Sequence, residues 1–204
     1  MKTLIFVHGW ESFLDEESYL DFLRDTYAEY YVTPWEDKEK IDYRTHISRR
    51  WIWDGEQVYY PAMPNKLNAR YEEWKIVFDG VLAKMKTDDD VTFFGTSLGG
   101  CFLLKYFSEV EKFDYKINQI HLLAACIYEW DFSAPTSYEY LQKLWNQVHI
   151  WHAEDDAVVP FSVGQELSRN LPEAETHFFI SEKWYGHFHG VERIPELEEV
   201  IFGK

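Results

Sequence analysis

Short runs of β-branched and aromatic residues recur along this chain, separated by longer stretches with helical spacing, and that alternation constrains the fold more than any other feature. Most runs are near-continuously apolar, as strands covered on both faces should be, so the pattern predicts an α/β fold with a mainly parallel sheet and helices on both faces. About six strands are expected, at Thr3–Val7, Gln57–Tyr60, Val91–Gly95, Ile117–Ala124, Val148–His152 and Thr176–Ile180. Between them the spacing predicts helices at about Glu16–Tyr30, Lys38–Arg50, Ala69–Lys86, Leu98–Glu109, Ser137–Trp145, Ser162–Asn170 and Pro195–Phe202. Asn68 is placed to cap the third helix and Ser162 the sixth, while Pro34, Pro61, Pro64 and Pro135 fall in connections, where a missing N–H costs least.

No internal repeat, low-complexity tract or Gly/Ser-rich linker divides the 204 residues, and 46% hydrophobic with 27% charged positions suits one domain that buries a core without disulfides or metal. The stretch from His8 to Glu56 is longer than one crossover needs, so residues 11–56 are expected to form a helical, aromatic-rich insertion packed on the domain. Twenty Lys and Arg against 36 Asp and Glu leave a formal charge of −16, which repels a phosphate backbone and an anionic leaflet. Nucleic-acid and membrane-surface functions are therefore set aside. No apolar stretch approaches the roughly 18 residues of a membrane span, and the opening run Thr3–Val7 is shorter than the roughly 7–15-residue core of a secretory signal. Cys101 and Cys126 form neither a disulfide framework nor a C-x-x-C pair, and both fit a reducing cytoplasm.

Chemistry enters at Gly95-Thr96-Ser97-Leu98-Gly99, a G-x-S-x-G sequence that sets a serine on a sharp turn where small neighbours let the backbone fold without collision. The motif alone is weak, but here it follows the apolar run Val91–Phe94 and leads into the amphipathic segment Cys101–Phe107, the strand–turn–helix setting of a nucleophile elbow. A serine at a helix start is also a common cap. The flanking glycines favour the nucleophile, because a cap does not require them. The backbone N–H that follows, from Leu98, is placed to donate to an oxyanion.

A serine hydroxyl needs a base to take its proton, and the base needs an acid to orient it. In doubly wound sheets reactive groups collect beyond the carboxyl ends of the strands. Behind the fifth strand, His152-Ala153-Glu154-Asp155-Asp156 offers Asp155 or Asp156; behind the sixth, Gly186-His187-Phe188-His189 offers His187 or His189. Asp131, after the fourth strand, is a more remote acid. His121, His149 and His177 fall inside strands, where core or sheet-face roles are expected. His149 and His152, three apart on one strand, point to opposite faces and so do not chelate together. Neither a catalytic metal nor any other cofactor is expected.

Taken together, the elbow, the turn Asp156-Ala157-Val158-Val159-Pro160 and Gly186-His187-Phe188 resemble the α/β-hydrolase superfamily. Within it the chain is similar to the small, lid-poor serine hydrolases of the retinoblastoma-binding-protein-9 and YdeN type. Those proteins carry after their second strand a segment like Tyr60-Pro61-Ala62-Met63-Pro64-Asn65 followed by Tyr71-Glu72-Glu73-Trp74. The resemblance runs over most of Met1 to Phe202. It implies an α/β-hydrolase fold with a minimal lid and a triad of Ser97, His187 and Asp156. It also implies a second oxyanion donor from the turn after the first strand, the N–H of Trp10. His8 is expected to close that strand and pack against the elbow.

The activity so implied is hydrolysis of a small carboxylic ester through an acyl-enzyme. An amidase or aminopeptidase using the same triad, or a binding protein that engages a partner through exposed aromatics, are the alternatives. Aromatic residues make up 19% of the chain, and Trp10, Tyr128, Trp130 and Trp184 all fall on loops at the expected active-site end. They are expected to wall the substrate pocket, whereas Trp35, Tyr43, Trp51 and Trp53 crowd the insertion and are expected to pack as core.

Overall fold

The computed structural model describes residues 1–9, 12–13, 15–27, 42–180, 186–188 and 191–203. The six apolar runs lie side by side in one sheet of order β2-β1-β3-β4-β5-β6, formed by β1 (Lys2–Val7), β2 (Gln57–Tyr59), β3 (Asp90–Thr96), β4 (Lys116–Leu123), β5 (Val148–Ala153) and β6 (Glu175–Phe179). Every neighbouring pair is parallel. From β1 the chain steps outward to β2, then returns past β1 to β3 and continues to the β6 edge. β1 and β3 therefore flank the point where the winding reverses, and a crevice opens beyond their carboxyl ends.

Successive strand residues face opposite sides, and the two sides bury different helices. Phe93, Leu122 and Ile150 face a core built with α3 (Tyr71–Leu82), α4 (Leu98–Glu109), the short α5 (Glu139–Gln142) and α6 (Phe161–Asn170). Phe94, Leu123 and Trp151 face the other way, onto Tyr43, Ile47 and Trp51 of α2 (Tyr43–Trp53) and Leu197 of α7 (Pro195–Phe202). The spacing of the three α2 residues, four apart, aligns them along one helix face. Tyr43 and Trp51 are buried as expected, whereas Trp53 is 88% exposed and packs in neither core. Phe78 meets Phe102 at 5.1 Å and 76°, and Trp74 meets Phe132 at 5.1 Å and 75°, the edge-to-face geometry that aromatic quadrupoles favour. Each such buried ring stabilises the fold by roughly 1.5–3 kcal/mol.

Several local expectations shift. The first helix, α1 (Glu16–Asp21), gives way to a wider π-helical turn over Phe22–Tyr27. The expected helix at 38–50 is described from Tyr43 and runs on to Trp53, with Asp42 capping it through Thr45 N–H. Asn68 does not cap α3. Instead Asp131, from the loop after β4, accepts the Tyr71 N–H at 2.7 Å, a partner no local pattern could indicate. Ser162 lies inside the first turn of α6, which starts after Pro160. The helix expected over 137–145 shrinks to α5 and a 3-10 turn at Trp145–Gln147, whose first residue, Trp145, takes a positive φ of 50° that an α-helix does not admit.

Candidate active site

β3 is buried from Val91 to Gly95 and delivers Ser97 to the carboxyl edge of the sheet. The Ser97 N–H donates to Leu123 O at 2.9 Å, and the Ser97 carbonyl accepts from Gly100 N–H at 2.9 Å and Cys101 N–H at 3.2 Å, so strand becomes helix within one residue. That turn forces Ser97 to φ 54°, ψ −121°. Such backbone costs a non-glycine residue about 1–3 kcal/mol and persists only where its surroundings over-determine it. Two glycines provide that constraint. A Cβ on Gly99 would lie 2.1 Å from Val7 O, so the start of α4 can seat directly on the end of β1. A Cβ on Gly9 would lie 2.7 Å from Ser97 Cβ, so the turn after β1 touches the serine itself.

The expected acid, Asp156, stands on the turn after β5. Asp156 Oδ1 accepts the N–H groups of Val158 at 2.8 Å and Val159 at 2.9 Å, which locks the carboxylate in place. His187 then brings Nδ1 to 3.0 Å from Asp156 Oδ2 and 3.2 Å from Oδ1. Both residues are buried. With Asp156 ionised, this contact fixes the proton on Nδ1 and leaves Nε2 as the lone-pair nitrogen. Burial opposes ionisation of Asp156, but the hydrogen bond and charge of His187, with the two backbone donors, outweigh it and hold the carboxyl below its ordinary pKa. Of the adjacent acids, it is Asp156 that meets His187, while the Asp155 backbone packs beneath Gly186, whose Cβ position lies 3.2 Å from Asp155 O. Asp131 is engaged at α3. His189 lies outside the described residues.

Ser97, Leu98 and His187 line one cavity of about 500 Å³. Leu98 opens α4, so its N–H is one of the helix donors without an intrahelical acceptor. Tyr43 and Arg44, at the start of α2, form another part of the lining. Tyr43 Oη is 2.9 Å from Thr96 Oγ1, beside the serine, and Arg44 is paired with Asp42. Cys126 and Glu129 contribute from the loop after β4, and Val158, Val159 and Phe188 supply apolar wall. Tyr128 and Trp130 are outside this lining, 69% and 53% exposed. The chain doubles back there through a Glu129–Phe132 bridge, with Trp130 at φ 41°, and Glu129 is the residue turned to the cavity. Trp10 and Trp184 lie outside the described residues, as do Trp35 and part of the insertion. Among the described residues, no group of three metal-ligating side chains converges on this cavity.

No protein-family model matches the sequence, and no curated protein matches it. Solved structures do. The ydeN gene product of B. subtilis superposes with a TM-score of 0.63 at 16% identity over 98% of this chain and 97% of its own. The meta-cleavage product hydrolase CumD of Pseudomonas fluorescens gives 0.62 at 13% identity over 98% and 89%. Est1E of Butyrivibrio proteoclasticus gives 0.55 at 11% identity over 100% and 87%.

The chain has the α/β-hydrolase fold.

Within this hydrolase fold two features escaped the sequence reading. His152 is fully buried at the end of β5, and its Nε2 lies 2.9 Å from Val159 O. Burial lowers its pKa, so the neutral ring donates that proton to the carbonyl and braces the turn that presents Asp156. The only signal for it was a histidine four residues before the acid. Tyr43 and Arg44 could not be assigned to the cavity from sequence, because more than thirty positions separate them from the turn after β1. His8 follows the end of β1, and its carbonyl lies 2.7 Å from the Cβ position of Gly99 in the elbow, but its ring turns to α3 instead. It packs edge-on against Trp74 at 5.5 Å, and burial, with Arg44 and Lys66 nearby, lowers its pKa from 6.5 to about 4.

Proposed function

We propose that this protein is a serine hydrolase that cleaves small carboxylic esters through an acyl-enzyme on Ser97. The observation that carries the reading is the strained Ser97 backbone opening into the cavity that holds His187, whose far nitrogen is tied to Asp156 at 3.0 Å. Strain at one residue, kept beside a buried His–Asp pair, has no evident structural use and an obvious chemical one.

In the first step Ser97 Oγ bonds to the ester carbonyl carbon while His187 Nε2 takes the hydroxyl proton. The carbonyl oxygen becomes an oxyanion held by the Leu98 N–H and, in this proposal, by the N–H of Trp10. As the carbon–oxygen bond to the leaving group breaks, His187 returns its proton to the departing alkoxide and the alcohol leaves. Water then repeats the sequence: its oxygen bonds to the acyl carbon as His187 removes its proton, the acyl–Ser97 bond breaks, and the proton goes back to Ser97 Oγ as the carboxylic acid departs. Asp156 stays ionised throughout. It holds the ring and stabilises the imidazolium without taking its proton.

The cavity of about 500 Å³ falls in the usual range for small-molecule pockets. Est1E, solved with ferulic acid bound, shows the same fold receiving a carboxylic acid. Among the described residues no helix is long and apolar enough to cross a membrane, and the formal charge of −16 disfavours anionic substrates. A fluorophosphonate probe should label the wild-type protein and not Ser97→Ala. Equal labelling of both would overturn the nucleophile assignment. Turnover of p-nitrophenyl esters should fall steeply as the acyl chain lengthens, and a flat series would refute a small pocket.

A further inference from the structure

Away from the cavity, three histidines stand side by side on one face of the sheet, on β4, β5 and β6. His121 stacks on His149 at 4.7 Å and His149 on His177 at 5.6 Å. This is a costly way to fill a sheet face, and among the described residues hydrogen bonds engage both ring nitrogens of His121 alone. Trp151 Nε1–H donates to His121 Nδ1 at 3.2 Å, which leaves His121 Nε2 to donate to Gln119 Oε1 at 3.2 Å. The ring of His121 is thereby used up. His149 is 2% exposed, and its Nε2 is buried with no hydrogen-bond partner.

The other nitrogen of His149 faces a different kind of neighbourhood. β5 and β6 pair with His149 opposite Glu175 and Trp151 opposite His177, so Glu175 and His177, two apart, share the face that His149 occupies. Nδ1 of His149 lies 3.2 Å from Glu175 Oε2 and 3.3 Å from His177 Nε2, and all three atoms fall within 4.8 Å of one another. A tetrahedral ion with bonds of about 2.0–2.1 Å sets adjacent ligand atoms roughly 3.3–3.4 Å apart. Two of the three edges already have nearly that length, and the third joins His177 to the 55%-exposed Glu175 side chain, whose rotation can close it. Trp151 stacks on His177 at 3.7 Å and 8°, holding that ring in plane.

We propose that His149 Nδ1, His177 Nε2 and a carboxylate oxygen of Glu175 bind a divalent first-row transition ion, Zn²⁺ above all, in a three-ligand site completed by water. Two imidazoles and a carboxylate suit zinc and do not suit Mg²⁺ or Ca²⁺, which take oxygen ligands. The ion clips β6, the exposed edge of the sheet, to β5. None of the three ligands lines the cavity of Ser97, so the site is independent of the hydrolytic reading.

Equilibrium dialysis of the full chain against buffered Zn²⁺, with the metal counted by atomic emission, tests this. Wild type and Ser97→Ala should each hold one equivalent, and Glu175→Gln and His177→Gln should lose more than about tenfold in affinity. Both substitutions fall on the partly exposed edge strand, and far-UV circular dichroism checks their fold. Zn²⁺ should also shift the imidazole NMR signals of His149 and His177 in the wild-type chain, a readout that needs no variant. Absence of Zn²⁺ binding by the wild type, unchanged affinity in both folded variants, or imidazole signals that stay in place would overturn the proposal.

Discussion

Nδ1 of His187 lies 3.0 Å from Oδ2 of Asp156, and the other carboxylate oxygen is held by the N–H groups of Val158 and Val159. The Asp156 carboxylate thus has a fixed orientation, and in the proposed mechanism it imposes one tautomer on His187. Asp156→Asn keeps the shape and removes that control, so kcat for a p-nitrophenyl ester should fall by about three to four orders of magnitude. Asp155→Asn should leave it near the wild-type value. Similar losses in the two variants, measured in steady state, would show that the wrong acid has been assigned.

Ser97 holds φ 54° against its intrinsic preference. Glycine adopts that backbone without a Cβ clash, so Ser97→Gly should abolish acylation and raise unfolding stability by about 1 kcal/mol, the relieved strain exceeding the added chain entropy. Urea denaturation of the two proteins compares them directly. A less stable Ser97→Gly protein would mean that the turn stores no strain.

If Ser97 is the nucleophile as proposed, the contact between the two turns gives Gly9 a positioning role. In Gly9→Ala the new Cβ sits 2.7 Å from Ser97 Cβ and Thr96 O, and the serine must shift. A displacement of that order should cost about a hundredfold in kcat with a smaller effect on KM. Circular dichroism should show an intact fold, and unchanged kcat would show that the serine tolerates the displacement.

His8 links stability to pH. Its pKa is lowered by burial, and by Arg44 and Lys66, from 6.5 to about 4. Between those values the unfolded chain binds a proton that the folded protein refuses, so stability is complete above pH 6.5 and declines as pH falls toward 4. Thermal melts of wild type and His8→Asn between about pH 7 and pH 4.5 should show a shallower decline in the variant. Parallel curves would indicate that His8 titrates normally.

Much of this was legible in the order of the residues. Near-continuous apolar runs mark strands covered on both faces, and all six appear within a residue or so of their expected limits. Gly95-Thr96-Ser97-Leu98-Gly99 announces a strand-to-helix turn because the need for small residues there is local, and α4 begins at Leu98 as expected. The Ser, Asp, His order was visible because each residue follows its own strand. Less legible were elements stabilised by distant partners: Asp131 capping α3 from sixty positions away, and the short α5, where spacing suggested a longer helix.

The pattern of apolar runs therefore established a parallel α/β sheet and put a serine, a histidine and two neighbouring acids at one edge of it. Folding in three dimensions chose between the acids, because the turn beside Val158 and Val159 aims one carboxylate at His187 and leaves Asp155 to pack through its backbone. It made Tyr43 and Arg44 cavity wall while Tyr128 and Trp130 stayed exposed, and it brought His149, Glu175 and His177 together through the register of β5 on β6. Backbone turns and strand tendencies are set by neighbours in sequence. The convergence of side chains depends on strand register and helix packing across long separations, which no local pattern encodes.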